Sequence, residues 1–215
     1  MNNSETIKNN DSRKILGLVV IIATLMITTT GATYAWLTFT GANNATTVTG
    51  TVASTGSMTL TITEAPLKSG NTGKMVPQLD DYVGTAMNGT NKCVDGNNNI
   101  VCKVYTIHVE ASGDAEIPST GQITFSNIAT VPNLKWSLAS SATSISSNSK
   151  TTASTTAATF ATPTFTASNR SADYYLVIWI SEINAAQNDS GTWNATISFE
   201  SAGGGHITST ITSAS

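Results

Sequence analysis

Apolar positions along the chain fall into two regimes, one nearly unbroken run near the N-terminus and short alternating runs after it. Residues 1–14 are polar and close on Arg13 and Lys14. Ile15 to Ile27 then carries Leu16, Leu18, Val19, Val20, Ile21, Ile22, Leu25 and Met26. A basic segment ahead of such a run predicts a hydrophobic helix that enters an export or membrane-insertion machinery. Two outcomes fit it. Small residues at Thr33 and Ala35 suit a signal-peptidase cut between Ala35 and Trp36, and Thr28-Thr29-Thr30-Gly31 interrupts the run where a bilayer span still needs apolar side chains. Uncharged sequence continuing through Trp36-Leu37-Thr38-Phe39 suits an uncleaved anchor, with residues 15–35 in the membrane and Arg13 and Lys14 holding the N-terminus inside. Both outcomes place the rest of the chain outside the cell, secreted or on the surface. A type IV pilin leader is excluded, because the glutamate it requires near the start of the apolar helix is missing.

Downstream the period changes to two. Ser57-Met58-Thr59-Leu60-Thr61-Ile62-Thr63 puts Met58, Leu60 and Ile62 on one side and threonines on the other, the pattern of a half-buried strand. Thr47 to Val52 alternates more weakly, as a strand or an extended arm. Lys103 to Glu110 buries Tyr105, Ile107 and Val109 and leaves His108 to solvent. Further strands are expected at 121–125, 134–138, 160–165, 193–199 and 207–211. Tyr174 to Ile180 is apolar on both sides, as in a central strand covered on both faces. Ala139 to Ala158, nearly all Ser, Thr and Ala, lacks periodicity and is expected to be a mobile loop within the same core. Eight or nine short strands separated by Gly, Asn, Asp and Ser turns predict an all-β, two-sheet sandwich. The expected divisions are 1–35 for the signal peptide or signal anchor, 36–52 for an extended arm and 53–215 for the sandwich.

Composition agrees with strands. Charged residues are 11% of the 215, against roughly 25% in ordinary soluble domains, so Ser, Thr, Asn and Gly carry the solubility. The net charge is −3 and, beyond Arg13-Lys14, the basic residues are scattered singly, which argues against a nucleic-acid partner. Cys93 and Cys102 flank a turn-rich insert. Outside the cell they are expected to pair, contributing roughly 2–3 kcal/mol through chain entropy, with two free buried thiols as the alternative.

Candidate chemistry is sparse. His108 and His206 lie far apart on threonine-rich strands, unlike the two histidines four apart of a metalloprotease helix. Asp95, Asn97 and Asn99 mimic the start of a calcium loop, but Ile100 stands where glycine belongs and Thr106 where a bidentate glutamate belongs, so the segment reads as a solvated hairpin tip. Asp80-Asp81 and Glu182 read as isolated surface carboxylates. Gly203-Gly204-Gly205 lies between two strands and reads as a turn, not a phosphate cradle. The Asn-x-Ser/Thr triplets at Asn88 and Asn194 arise readily by chance in so Asn- and Thr-rich a chain. No catalytic, cofactor or metal set is expected, and no enzyme.

Gly31-Ala32-Thr33-Tyr34-Ala35-Trp36-Leu37 at the export boundary, the strand region Gly50 to Ile62 and Val104-Tyr105-Thr106-Ile107 are similar to one known group. With Tyr174 to Ile180 and Gly191 to Glu200 before Ser-Ala-Gly-Gly-Gly, the chain resembles the TasA and camelysin family of Gram-positive surface proteins that carry SipW-type signal peptides. The resemblance implies a jelly-roll-like sandwich, a dedicated signal peptidase as processing partner, and assembly into extracellular fibres of the biofilm matrix. In fibre-forming members the new N-terminal segment of one subunit adds as a strand to the next, itself a copy or a related subunit. Here Trp36 to Val52 would be the donor, with Trp36, Leu37, Phe39, Val48 and Val52 as apolar anchors. The alternatives are a membrane-anchored, non-assembling surface module that binds a ligand through its loops, using Tyr82, Trp136 or the cysteine loop, and a camelysin-like secreted peptidase, which the missing zinc motif puts in doubt.

Overall fold

The chain divides into two units, residues 1–35 and 36–215. The computed structural model describes residues 38–41, 46–52, 56–66, 75–88, 92–113, 116–139, 141, 150–183, 187, 189 and 191–213, all in the second unit. The expected apolar N-terminal helix, the Ala35–Trp36 cleavage position and the anchors Trp36 and Leu37 lie outside them. Among the described residues no helix is long and apolar enough to cross a membrane.

The elements in chain order are β1 (Thr38–Gly41), β2 (Thr46–Val52), β3 (Gly56–Glu64), helix α1 (Asp80–Met87), β4 (Lys103–Ser112), β5 (Ile117–Ser126), β6 (Leu134–Ala139), β7 (Thr151–Thr152), β8 (Ala158–Ala161), β9 (Thr164–Phe165), β10 (Ser171–Ile180), β11 (Asn194–Ser201) and β12 (His206–Thr212). They form two sheets, as the alternating pattern predicts. The first has the order β1-β12-β11-β5-β8, with β9 also on β5; the second has the order β2-β3-β4-β10-β6-β7. Period-2 alternation sends one set of side chains from each sheet into a shared core. Leu60, Ile62, Ile107, Val109, Leu176 and Ile178 of the second sheet join Ile123, Phe125, Ala195, Ile197, Phe199 and Ile207 of the first. Each fully buried Ile, Leu or Phe stabilises the fold by roughly 1.5–3 kcal/mol relative to exposure.

β10 is central to its sheet and covered on both faces. Leu176, Ile178 and Ile180 enter the main core, while Val177 and Trp179 face the other way into a second cluster with Val83, Ala86, Met87, Val101, Val104 and both cysteines. The cover is α1 together with the cysteine loop. Cys93 and Cys102 form a disulfide, with Cα atoms 4.9 Å apart.

Two expectations need correction. Asp80 and Asp81 are not isolated surface charges, since they open α1 and bind lysines of the body. Asp80 accepts hydrogen bonds from Lys135 Nζ (2.6 Å) and from Trp179 Nε1–H (2.8 Å), and Lys150 Nζ pairs with Asp81. Nor is all of 139–158 loop. Thr151 and Thr152 form β7 on Lys135 and Trp136, and Ala153 is buried; backbone hydrogen bonds outweigh the weak sequence signal. Residues 142–149 of that stretch lie outside the described set.

Each lateral side of the sandwich is bordered by two strands that follow one another in the chain, one in each sheet. On one side β1 borders the first sheet and β2 the second. On the other, β7 borders the second sheet and β8 the first, and the crossing falls between two consecutive residues: Ala153 N–H donates to Leu134 O and Phe125 N–H donates to Ser154 O.

Candidate assembly edge

The segment 38–52 supplies the edge strand of both sheets. Its residues suit that role locally, because Thr, Val and Phe favour extended backbone, and Gly41 closes β1. β2 runs antiparallel to β3, from Thr46 opposite Ile62 to Val52 opposite Gly56. β1 is different. Its four residues lie parallel to β12, with Thr38, Phe39, Thr40 and Gly41 beside Thr208, Ser209, Thr210 and Ile211, whereas every other pairing between named strands is antiparallel. Of the expected anchors, Phe39 is therefore in β1, and Val48 and Val52 are in β2.

β2 also approaches β12 across the gap between the sheets. A Cβ at Gly50 would sit in ordinary van der Waals contact, 3.4 Å from His206 O and 3.7 Å from Ile207 Cβ, which measures how near the two strands come. At the first residue of β3, a Cβ on Gly56 would lie 2.3 Å from Ser112 O, which excludes any larger residue without backbone movement. Cross-strand hydroxyl pairs tie this region together, Thr47 with Thr61 at 3.0 Å and Ser57 with Ser112 at 2.7 Å.

β12, the strand that β1 borders, carries an internal mismatch. Ser209 lies between the core residues Ile207 and Ile211, is buried, and its hydroxyl has no hydrogen-bond partner among the described residues. An unpaired buried hydroxyl costs about 1–3 kcal/mol, a local cost within this strand. At the start of β12, burial pushes the His206 imidazole below its ordinary pKa, and the opposing charge of Glu200 across the ladder only partly offsets this.

The other sequence candidates fall elsewhere. His108 is about half exposed, on the outer face of the second sheet, where its Nδ1 lies 2.6 Å from Asp173 Oδ1. That pairing crosses 65 residues of sequence and had no local signal. Asp95 forms the hairpin tip by accepting from the backbone N–H groups of Asn97 and Asn99 and from Asn99 Nδ2, which holds its carboxyl below the usual range. Glu182 is exposed, and its backbone N–H donates to Gln78 O. Among the described residues no group of three or more His, Cys, Asp or Glu converges as a metal site. The sequence reading missed β12 as a partner for the arm. Ile207 to Ile211 signals a strand, but no pattern in it names its neighbour.

No family model matches the chain, and no curated protein matches it.

Proposed function

We propose that the protein is an exported structural subunit of an extracellular matrix fibre, and that it grows by strand addition through the 36–52 segment. The observation that carries this reading is the parallel β1–β12 pair. A strand of only four residues lies on the edge of an otherwise antiparallel sheet, with β12 as its one ladder partner. So short a ladder is readily given up for an equivalent one on another subunit, and β12 without β1 is an open edge that templates pairing. Donor and acceptor surfaces differ, so the contact is heterologous and propagates. The resemblance to TasA and camelysin proteins supports the same reading, including jelly-roll-like connectivity, processing by a signal peptidase, and growth from copies of this chain or related subunits.

The test is N-terminal sequencing and electron microscopy of the protein recovered from cells and medium. A start at Trp36 in filamentous material, and loss of filaments when 36–52 is deleted, are the expected results. A protein that stays monomeric over a wide concentration range, with deletion changing nothing, overturns the proposal. A start at Met1 or Asn2 would favour the anchored binding module instead.

A further inference from the structure

One end of the first sheet carries an open cleft of about 460 Å³, lined by residues of β5, the β8–β9 connection and the β11–β12 turn, and by none of the 38–52 segment. Its walls are fixed by the backbone. Ser119 N–H donates to Pro163 O (2.8 Å), Ala202 N–H to Pro118 O (3.0 Å) and Ser201 N–H to Gly205 O (2.8 Å), so the concavity exists before any ligand arrives.

The lining has a definite chemistry. Thr120, Thr162, Thr164 and Ser201 contribute hydroxyls, Glu200 contributes one carboxylate, and no cationic or aromatic side chain is in the lining, while the Ser119 hydroxyl turns into the core toward Met58 Sδ and Ile117 O. Ser201 is committed to its own turn through Gly205. By contrast, the side chains of Thr120, Thr162 and Thr164 make no hydrogen bond to any described residue, and Glu200 has as its charged neighbour only His206 across the ladder, whose imidazole burial favours in the neutral form. Thr120 and Glu200 are direct cross-strand partners on the outward face, so an acceptor-only group and a donor-acceptor group stand side by side at the cleft.

We propose that this cleft binds an amine-bearing sugar unit of a polysaccharide, its ammonium on Glu200 and its ring hydroxyls on Thr120, Thr162 and Thr164. Hydroxyls that both donate and accept match a polyol, and the single carboxylate selects a cation and repels acidic sugars. A volume near 460 Å³ suits one or two sugar rings. Without an aromatic platform the affinity per site is weak, on the order of 1 mM.

The test is equilibrium dialysis of the full chain against labelled tetramers of glucosamine, N-acetylglucosamine and glucose, with tetralysine as a fourth arm. It reads binding equally on subunits and fibres, so its outcome does not depend on whether the protein polymerises. The glucosamine tetramer is expected to bind roughly tenfold more tightly than the other sugars and than tetralysine, the scale of one charge-assisted hydrogen bond. Glu200→Gln, at an exposed position, is expected to abolish that preference without lowering Tm. Thr164→Val is expected to weaken all sugars together. Equal binding of the three sugars, equal binding of tetralysine, indifference to Glu200→Gln or Thr164→Val, or no binding at 10 mM overturns the proposal.

Discussion

The rings of Phe160 and Phe199 meet edge to face, centroids 5.6 Å apart, over the bare backbone of Gly121. A Cβ on Gly121 would lie 2.8 Å from Phe199 and 3.0 Å from Phe160, and the β5–β8 ladder is offset by a bulge at the same point. Gly121→Ala must push both rings, and Tyr174 packed against them, out of place. The expected loss is about 1–3 kcal/mol. In thermal unfolding that is a fall of roughly 2–4 °C for each kcal/mol.

Asp80 clamps α1 to the second sheet by holding Lys135 and Trp179 together. Asp80→Ala leaves both donors unmatched at a partly buried site, and about 1–2 kcal/mol of stability is expected to go. Trp179 fluorescence should shift to the red as water reaches the indole. Acid titration gives a second readout. Burial raises the Asp80 pKa, but hydrogen bonds from Lys135, Trp179 and Ser181 and the Lys135 charge outweigh it, and the carboxyl sits below its ordinary value. A depressed acid stabilises the fold above the unfolded carboxyl range, near 4, and that contribution is lost as pH falls through the lower folded value. Asp80→Asn removes this component, so its stability is expected to fall less between pH 4 and 2 in denaturant titrations.

Reduction of the Cys93–Cys102 bond should act on the second core and leave the main one intact. The bridged loop packs on α1, with Cys93 N–H donating to Ala86 O at 2.6 Å. Cys93→Ser with Cys102→Ser is expected to cost about 2–3 kcal/mol. Tm should drop on the order of 5–10 °C, matched by wild type in reductant.

His206 gives stability a second acid dependence, in a milder range. Burial lowers its pKa and Glu200 partly restores it, so the folded state favours the neutral ring. That preference is fully present above the unfolded value near 6.5 and is lost as pH falls through the lower folded value. His206→Gln should therefore flatten stability between pH 7 and 5 in urea unfolding.

Proline at Thr38 and Thr40 removes two backbone N–H groups from the segment that pairs with β12. With the main core untouched, Tm should move by less than about 4 °C, while filament yield by electron microscopy should collapse. Normal filaments from the double variant would show that β1 is not the strand exchanged.

What the sequence makes legible follows from the range of the forces involved. Alternation in Met58-Thr59-Leu60-Thr61-Ile62 and two-sided apolarity in Tyr174 to Ile180 reflect burial of each strand by itself, and both reappear in β3 and β10. The cover over β10 was not legible. Asp80–Met87 contains Gly84 and Thr85, weak helix formers, and Leu79 makes no side-chain capping bond, so α1 exists because Val83, Ala86 and Met87 find Val177 and Trp179. The β1–β12 pairing was equally hidden. Thr38 and Thr208 are neighbours through backbone groups, which every residue carries alike.

The two segments that close the sides of the sandwich are not equivalent. Both are hydrogen-bonded to the body at each end, 151–161 to β6 and β5 and 38–52 to β12 and β3, but the β1–β12 ladder is the one parallel pairing between named strands. In the proposed assembly the second is the segment that changes hosts. A polymer made by that exchange has polarity, with an uncovered β12 at one terminus and an unhoused strand at the other, and its two ends should grow at different rates.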